Sequence, residues 1–185
     1  MPDLPPGFLM DLATPEDIPA LIWADLGANA LFAPTGLIQP EALEQHVPET
    51  VLAEEIHHKN VIVIRREDQS PVGFAMVTRR HQGLYLDQLS VHPDYGRRGL
   101  GRHLVLRVVH ETEARHLPHV TLSTFRDLPW NGPFYASLGF VEINRKRYEP
   151  FMFAIEDAQR DYMDVTSRCF MRRPVRTSIF RRRGI

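Results

Sequence analysis

A chain of 185 residues, 43% hydrophobic and 24% charged, has the size and balance of one soluble globular domain with its own core. Its formal net charge of −1 excludes an overall field that would draw it to nucleic acid or to a membrane surface. Cys169 is the single cysteine, which excludes an internal disulfide and fits a reducing compartment.

The first ten residues lack the basic start and long apolar run of a secretory leader. No stretch approaches about 18 uninterrupted apolar residues, so the chain is expected to be cytoplasmic and not to enter a membrane. Lysine occurs only at Lys59 and Lys146; every other long cation is arginine. That bias alone carries no functional meaning.

In chain order, Phe8–Leu12 reads as a short strand. Thr14-Pro15-Glu16-Asp17 is a helix start, with Thr14 as cap, Pro15 in the first position and acids in the first turn. Ile18, Leu21, Ile22 and Leu26 continue it as one apolar stripe to about Gly27, and Ala33–Gly36 reads as a loop. A second helix opens at Pro40 and is bent or split at Pro48 before Leu52 and Ile56.

The period then changes from 3.6 to 2. Val61–Ile64 and Val72–Val77 form a hairpin across Glu67–Ser70, and His81-Gln82-Gly83 turns into a further strand, Leu84–Val91. A helix follows Gly99 and ends near His116. Val120–Phe125 is a strand, Phe134–Leu138 a short helix closed by Gly139, and Phe140–Ile143 a sixth strand. Pro150–Asp164 reads as a helix and Cys169–Met171 as a last strand. The expected fold class is α/β, a single sheet of mixed direction flanked by helices. A domain over residues 1–174 is expected, followed by an arginine-rich tail over 175–185.

The centre of the chain is Leu89-Ser90-Val91-His92-Pro93-Asp94-Tyr95-Gly96-Arg97-Arg98-Gly99-Leu100-Gly101-Arg102, a strand that turns through glycines and arginines into a helix. Glycines let a ligand approach the backbone closely. A helix start leaves N–H groups unpaired at the positive end of its dipole. With Arg97, Arg98 and Arg102 beside it, the turn asks for an anion, and a phosphate or pyrophosphate is the natural candidate. The spacing Gly-x-x-Gly-x-Gly is not that of a dinucleotide fold, and no Gly-Lys-Ser or Gly-Lys-Thr of a P-loop is present.

Leu89–Pro93 followed by Arg97–Arg102 resembles the acetyl-CoA signature of the GNAT superfamily of N-acetyltransferases. Pro133-Phe134-Tyr135-Ala136-Ser137-Leu138-Gly139-Phe140 resembles that family's second landmark. The element order from Thr14 to Phe140 is also similar, so the resemblance covers roughly residues 8–146.

It implies a GNAT-like sheet whose fourth and fifth strands splay apart around a pantetheine arm, with acetyl-CoA as co-substrate. Backbone groups of Leu89 and Val91, with Ser90 between them, would hold the arm. The N–H groups of Arg97, Arg98, Gly99, Leu100, Gly101 and Arg102 would hold the pyrophosphate. Gly96 stands where the family usually has Gln or Arg, so Arg97 or Arg98 would supply the missing side-chain contact. Tyr135 would be the general acid, and Asn131 would bond the arm.

Alternation along the strand puts Tyr85 and Asp87 on the face of Leu89 and Val91, which makes Asp87 the candidate base or amine anchor. Asp25, Glu54 and Glu55 are weaker candidates. The expected activity is acetyl transfer to a primary amine of a small molecule or peptide. A CoA-binding protein with altered catalysis, or an arginine-tailed nucleic-acid binder, are the alternatives. In the fold that the resemblance implies, the acceptor is selected by Ala24–Pro48 and Arg147–Thr166; Trp23, Phe32, Tyr148, Phe151 and Phe153 suggest an apolar wall, and Asp25, Asp87 and Glu149 would suit a cationic amine.

No metal is expected, because the nine histidines lack metalloprotease spacing. The terminal arginines lack interleaved aromatics beyond Phe180, which favours a solvated tail over nucleic-acid binding. A homodimer is left open.

Overall fold

The structure is a computed structural model that describes residues 3–67 and 70–175. Seven strands, β1 (Phe8–Leu12), β2 (Val61–Arg66), β3 (Pro71–Arg80), β4 (Gly83–Val91), β5 (His119–Phe125), β6 (Val141–Glu142) and β7 (Arg168–Pro174), form one sheet. Its order is β1-β2-β3-β4-β5-β7-β6. Every neighbouring pair is antiparallel except β4 and β5. The helices are α1 (Ile18–Asn29), α2 (Pro40–Leu43), α3 (Glu49–His57), α4 (Leu100–Ala114), α5 (Gly132–Ser137) and α6 (Pro150–Gln159).

Helices cover both faces, so β2 and β3 read as continuous apolar runs and are buried along most of their length. On one face, Leu100, Leu104, Val105 and Val108 of α4 pack with Tyr135 and Leu138 onto Ile62, Ala75, Leu86, Val120 and Leu122. On the other, Leu21 of α1 and Leu52 and Ile56 of α3 cover Val61, Val63, Phe74 and Met76. A smaller cluster on that second side joins Met152 of α6 to Tyr85, Ile143 and Phe170. Each such side chain contributes about 1.5–3 kcal/mol on burial.

The predicted helix start at Thr14 forms, with one tighter turn at Pro15–Asp17 ahead of α1. Asp17 accepts from the Thr14 N–H at 2.7 Å and from both Arg65 Nη groups at 2.6 Å. This bidentate pair ties the helix entry to β2.

Several boundaries differ from the expected ones: the sixth strand shortens to Val141–Glu142, the last lengthens to Arg168–Pro174, the short helix shifts to Gly132–Ser137, and two further cases concern helix ends. Ala33–Gly36 is not a plain loop: helical turns continue from α1 over Ala30–Thr35 and stop at Gly36, whose φ is +66°. The last long helix stops at Gln159 rather than Asp164. Asp164 turns outward to cap Thr166, and its N–H donates to the Leu37 carbonyl.

Pro48 does split the second helix, into α2 and α3. Val175 donates its N–H to Pro118 O at 2.8 Å and packs on the main core. The rest of the expected tail, 176–185, lies outside the described residues. No helix among the described residues is long and apolar enough to cross a membrane.

Candidate active site

The site begins where the sheet opens. β4 and β5 pair over three residues only, Leu84–Leu86 against Val120–Leu122. Beyond Leu86 the edge of β4 that faces β5 has no strand partner among the described residues. The register against β3 slips at the same point: Met76 faces Gln88 and Val77 faces Leu86. Asp87 is therefore an additional, unopposed residue, a β-bulge.

The bulge corrects the expected faces. Leu84 and Leu86 share the α4-side core with Leu89 and Val91, while Tyr85 packs in the α6-side cluster. Ser90 and Gln88 turn towards α1, where Ser90 Oγ and Gln88 Nε2 donate to Asp25 Oδ1 at 2.7 and 2.6 Å. One inserted residue reverses the alternation downstream of it, so Tyr85 and Asp87 do not share a face with Leu89 and Val91.

Two clefts meet at this opening. The first is lined by Leu86–Ser90 of β4, Leu122–Phe125 of β5, Phe32, Ile38, Met163 and Arg168. The second is lined by Leu89 and Val91, by Tyr95–Arg97 and Gly99–Arg102, and by Leu31, Trp130 and Phe134. Ala28, Phe32, Leu89, Asn131 and Tyr135 border both. Asp87 Oδ2, Thr124 Oγ1, Asn131 Oδ1 and Gln159 Oε1 are buried without a hydrogen-bond partner among the described residues, and all four border the first cleft. A buried acceptor left unsatisfied costs about 1–3 kcal/mol. Four around one opening mark a place built for polar ligand atoms.

Tyr135 stands at the junction because of how α5 is made. Gly132 brings the start of α5 so close to the end of β5 that a Cβ there would lie 2.0 Å from Arg126 O. Leu138 and Gly139 then close the turn. The Tyr135 ring is 7% exposed and packs edge-on to Phe134 and Phe140. Burial pushes its pKa well above the usual phenol value, with Arg168 pulling weakly the other way, so the hydroxyl keeps its proton.

Asp87 is half-buried, and burial pushes its carboxyl up to about 6. Thr78 and Arg80 oppose that rise, and Glu55 of α3 adds to it.

The glycine–arginine turn follows. Pro93–Tyr95 make one tight turn, Arg97 and Gly99 adopt left-handed φ of +55° and +78°, and α4 begins at Leu100. The helix start therefore points the N–H groups of Leu100, Gly101 and Arg102 towards the second cleft. Arg97 and Arg102 line that cleft. Arg98 turns away, its guanidinium 5.8 Å from the Tyr95 ring centre.

The remaining candidates disperse. Trp23 stacks on His92 at 3.7 Å. Asp25 is occupied by Ser90, Gln88 and the Val47 N–H. Glu149 pairs with Arg172. Tyr148 and Phe151 pack against Phe170, and Phe153 is exposed. Of the expected aromatic wall, Phe32 reaches the clefts.

Arg168 was not among the sequence candidates, yet it borders the first cleft. The alternation Arg168, Phe170, Arg172 is the signal that would have extended β7 back to it.

An acetyltransferase (GNAT) family model matches residues 29–140, more than half of the chain. Among solved structures, the PaiA N-acetyltransferase of Thermoplasma acidophilum in complex with coenzyme A is similar at a TM-score of 0.70 and 15% identity, over 90% of this chain and 98% of that one. The ribosomal-protein-S18-alanine N-acetyltransferase of Escherichia coli is similar at 0.67 and 20%, over 94% and 97%. The N-acetylglutamate synthase of Neisseria gonorrhoeae, complexed with coenzyme A and N-acetyl-glutamate, is similar at 0.68 and 13%, over 91% of this chain and 35% of that one.

Proposed function

Because this chain belongs to the GNAT acetyltransferase family, we propose that it transfers an acetyl group from acetyl-CoA to a primary amine by direct attack. The observation that carries the reading is the meeting of the two clefts at Tyr135 and Asn131, where β4 leaves β5. The catalytic domain in this reading spans residues 1–174, in a cytoplasmic protein.

The residues present fit such a co-substrate. The free edge of β4 at Leu89–Val91 offers backbone groups to the amides of a pantetheine arm, as a neighbouring strand would. Asn131 Oδ1, buried and unpartnered, would accept from the same arm. The first turn of α4, with Arg97, Gly99 and Arg102 beside it, would hold the pyrophosphate, and Arg98 would contribute through its backbone.

When bound, acetyl-CoA supplies a thioester carbonyl carbon to which the amine nitrogen bonds as the carbon–sulfur bond breaks. Asp87, ionised above pH 6, takes a proton from the incoming ammonium and passes it to solvent, leaving a neutral nucleophile. Tyr135 gives its proton to the departing sulfur and is restored by the second proton lost from the nitrogen. Burial weakens the phenol as an acid, but the same low-dielectric surroundings penalise the thiolate too. The order of the two groups is thereby kept.

The similar proteins are named for different acceptors, an alanine of ribosomal protein S18 in one and glutamate in another. Acetyl-CoA should raise the melting temperature of the chain, and a panel of amines should release free thiol from it. Tyr135→Phe should cut turnover by about 10²-fold or more with CoA affinity unchanged. Undiminished turnover in that variant would remove the phenol from the reaction.

A further inference from the structure

The geometry points to a short aminocarboxylate, a free amino acid above all, as the acceptor: Arg168 holds its carboxylate while Asp87 receives its amine. This rests on the acetyl-transfer reading and names what fills the first cleft.

Arg168 opens β7 opposite Phe125 of β5. Its Nε and Nη2 donate to Ser123 Oγ at 3.2 and 3.1 Å, and its guanidinium carbon lies 4.8 Å from the Phe125 ring centre. It meets no carboxylate among the described residues. Arg172, four residues along the same strand, is neutralised by Glu149, and Arg126 and Arg145 have Glu142 and Glu156. Burial lowers the pKa of Arg168, with nearby Tyr85 and Tyr162 opposing. A guanidinium carries five N–H donors in a fork matched to a carboxylate, and Ser123 takes only part of it.

Asp87 is the one carboxyl lining this cleft, and no ion pair joins it to Arg168 among the described residues. The rest of the polar lining is neutral, including Asn29, Gln88, Asn131 and Gln159. A cleft with one free cation and one separate acid complements a zwitterion.

The roof limits its length. Gln39 N–H donates to Tyr162 O and Asp164 N–H to Leu37 O, both at 2.8 Å, around a bridge between Ile38 and Met163. Ile38 and Met163 line the cleft beneath. The segments after α1 and α6 are thus fastened to each other across the acceptor side, where an extended polypeptide would need an open groove.

The test is free-thiol release by the full chain with acetyl-CoA and matched triplets: each common L-amino acid, its carboxamide and its decarboxylated amine. Peptides and polyamines run in parallel. At least one free acid should exceed its amide and amine in kcat/KM by about 10²-fold. Arg168→Gln should bring that ratio close to one, chiefly through KM, and Arg168→Lys should keep part of it.

Amides, amines or peptides used as well as the acids would overturn the inference while leaving acetyl transfer standing. The matched triplets decide this on the unaltered chain even if a variant fails to fold. Acetyl-CoA binding without thiol release for any amine would overturn the acetyl-transfer reading itself and the inference with it.

Discussion

At the scale of single residues, the base proposed at Asp87 carries a cost in stability. Its carboxyl is held at about 6 against an ordinary 3.8, mainly by burial. For an acid whose folded pKa is raised, the folded state is penalised once the group ionises. The penalty is absent below about pH 4 and complete above about pH 6. With allowance for partial exposure it is about 2 kcal/mol.

Asp87→Asn should therefore raise the melting temperature at pH 8, by several degrees in a chain of this size, and change it little at pH 3.5. Equal melting curves at pH 8 would contradict the burial argument. In kinetics, kcat/KM of the unaltered protein should rise with pH through about 6, and the variant should lose that limb along with about 10²-fold in rate.

The residue was visible in the sequence as an acid on the strand that ends at Val91, but for a geometric reason that fails. Strict alternation places it with Leu89 and Val91, and an inserted residue cannot be seen in a pattern that assumes none. Arg168 was hidden for a related reason: one arginine among many carries no mark until its missing partner is visible in three dimensions.

Among the elements, α4 and β4 were legible because their periods are strong. Leu100, Leu104, Val105 and Val108 recur on one helical face, and the Gly–Arg turn before them can only be a turn. The short helix α5 was legible as a motif, but its fixing device was not. That device is the approach of Gly132 to Arg126 O, a contact between backbone atoms that no flexible side chain can relieve.

Gly132→Ala must move the start of α5 away from β5, carrying Asn131 and Tyr135 with it. We expect a loss of about 1–3 kcal/mol, read as a lower midpoint in urea. Turnover should fall further than stability explains, since a displacement of about 1 Å can cost about 10²-fold in rate. A variant with unchanged midpoint and turnover would show that α5 does not need this approach. The segments that follow Gly36 and Gln159 were the least legible parts, because Leu37–Gln39 and Tyr162–Asp164 are partners of each other. Their separation in the sequence leaves no local trace.

For the whole molecule, the sheet is two antiparallel blocks, β1–β4 and β5–β7–β6, joined through the three paired residues at Leu84–Leu86 and Val120–Leu122. Those three pairs are all that the strands contribute at the seam, and α4 spans it from one side. A ligand lying along the free edge of β4 would complete the ladder that the protein leaves unfinished.

Coenzyme A should then slow amide hydrogen exchange well beyond the residues it touches, including β5 and β7. Protection confined to the Gly96–Arg102 turn would show that the two blocks are rigid without it. In mechanical terms the sheet is two blocks on a three-residue join, and in the proposed reading the co-substrate would be the wedge between them. Asp87 stands on one block and Arg168 on the other, so in that reading an acceptor would find its two anchors fixed relative to each other only after the acetyl donor has seated. Order of binding would be a property of how the strands are joined.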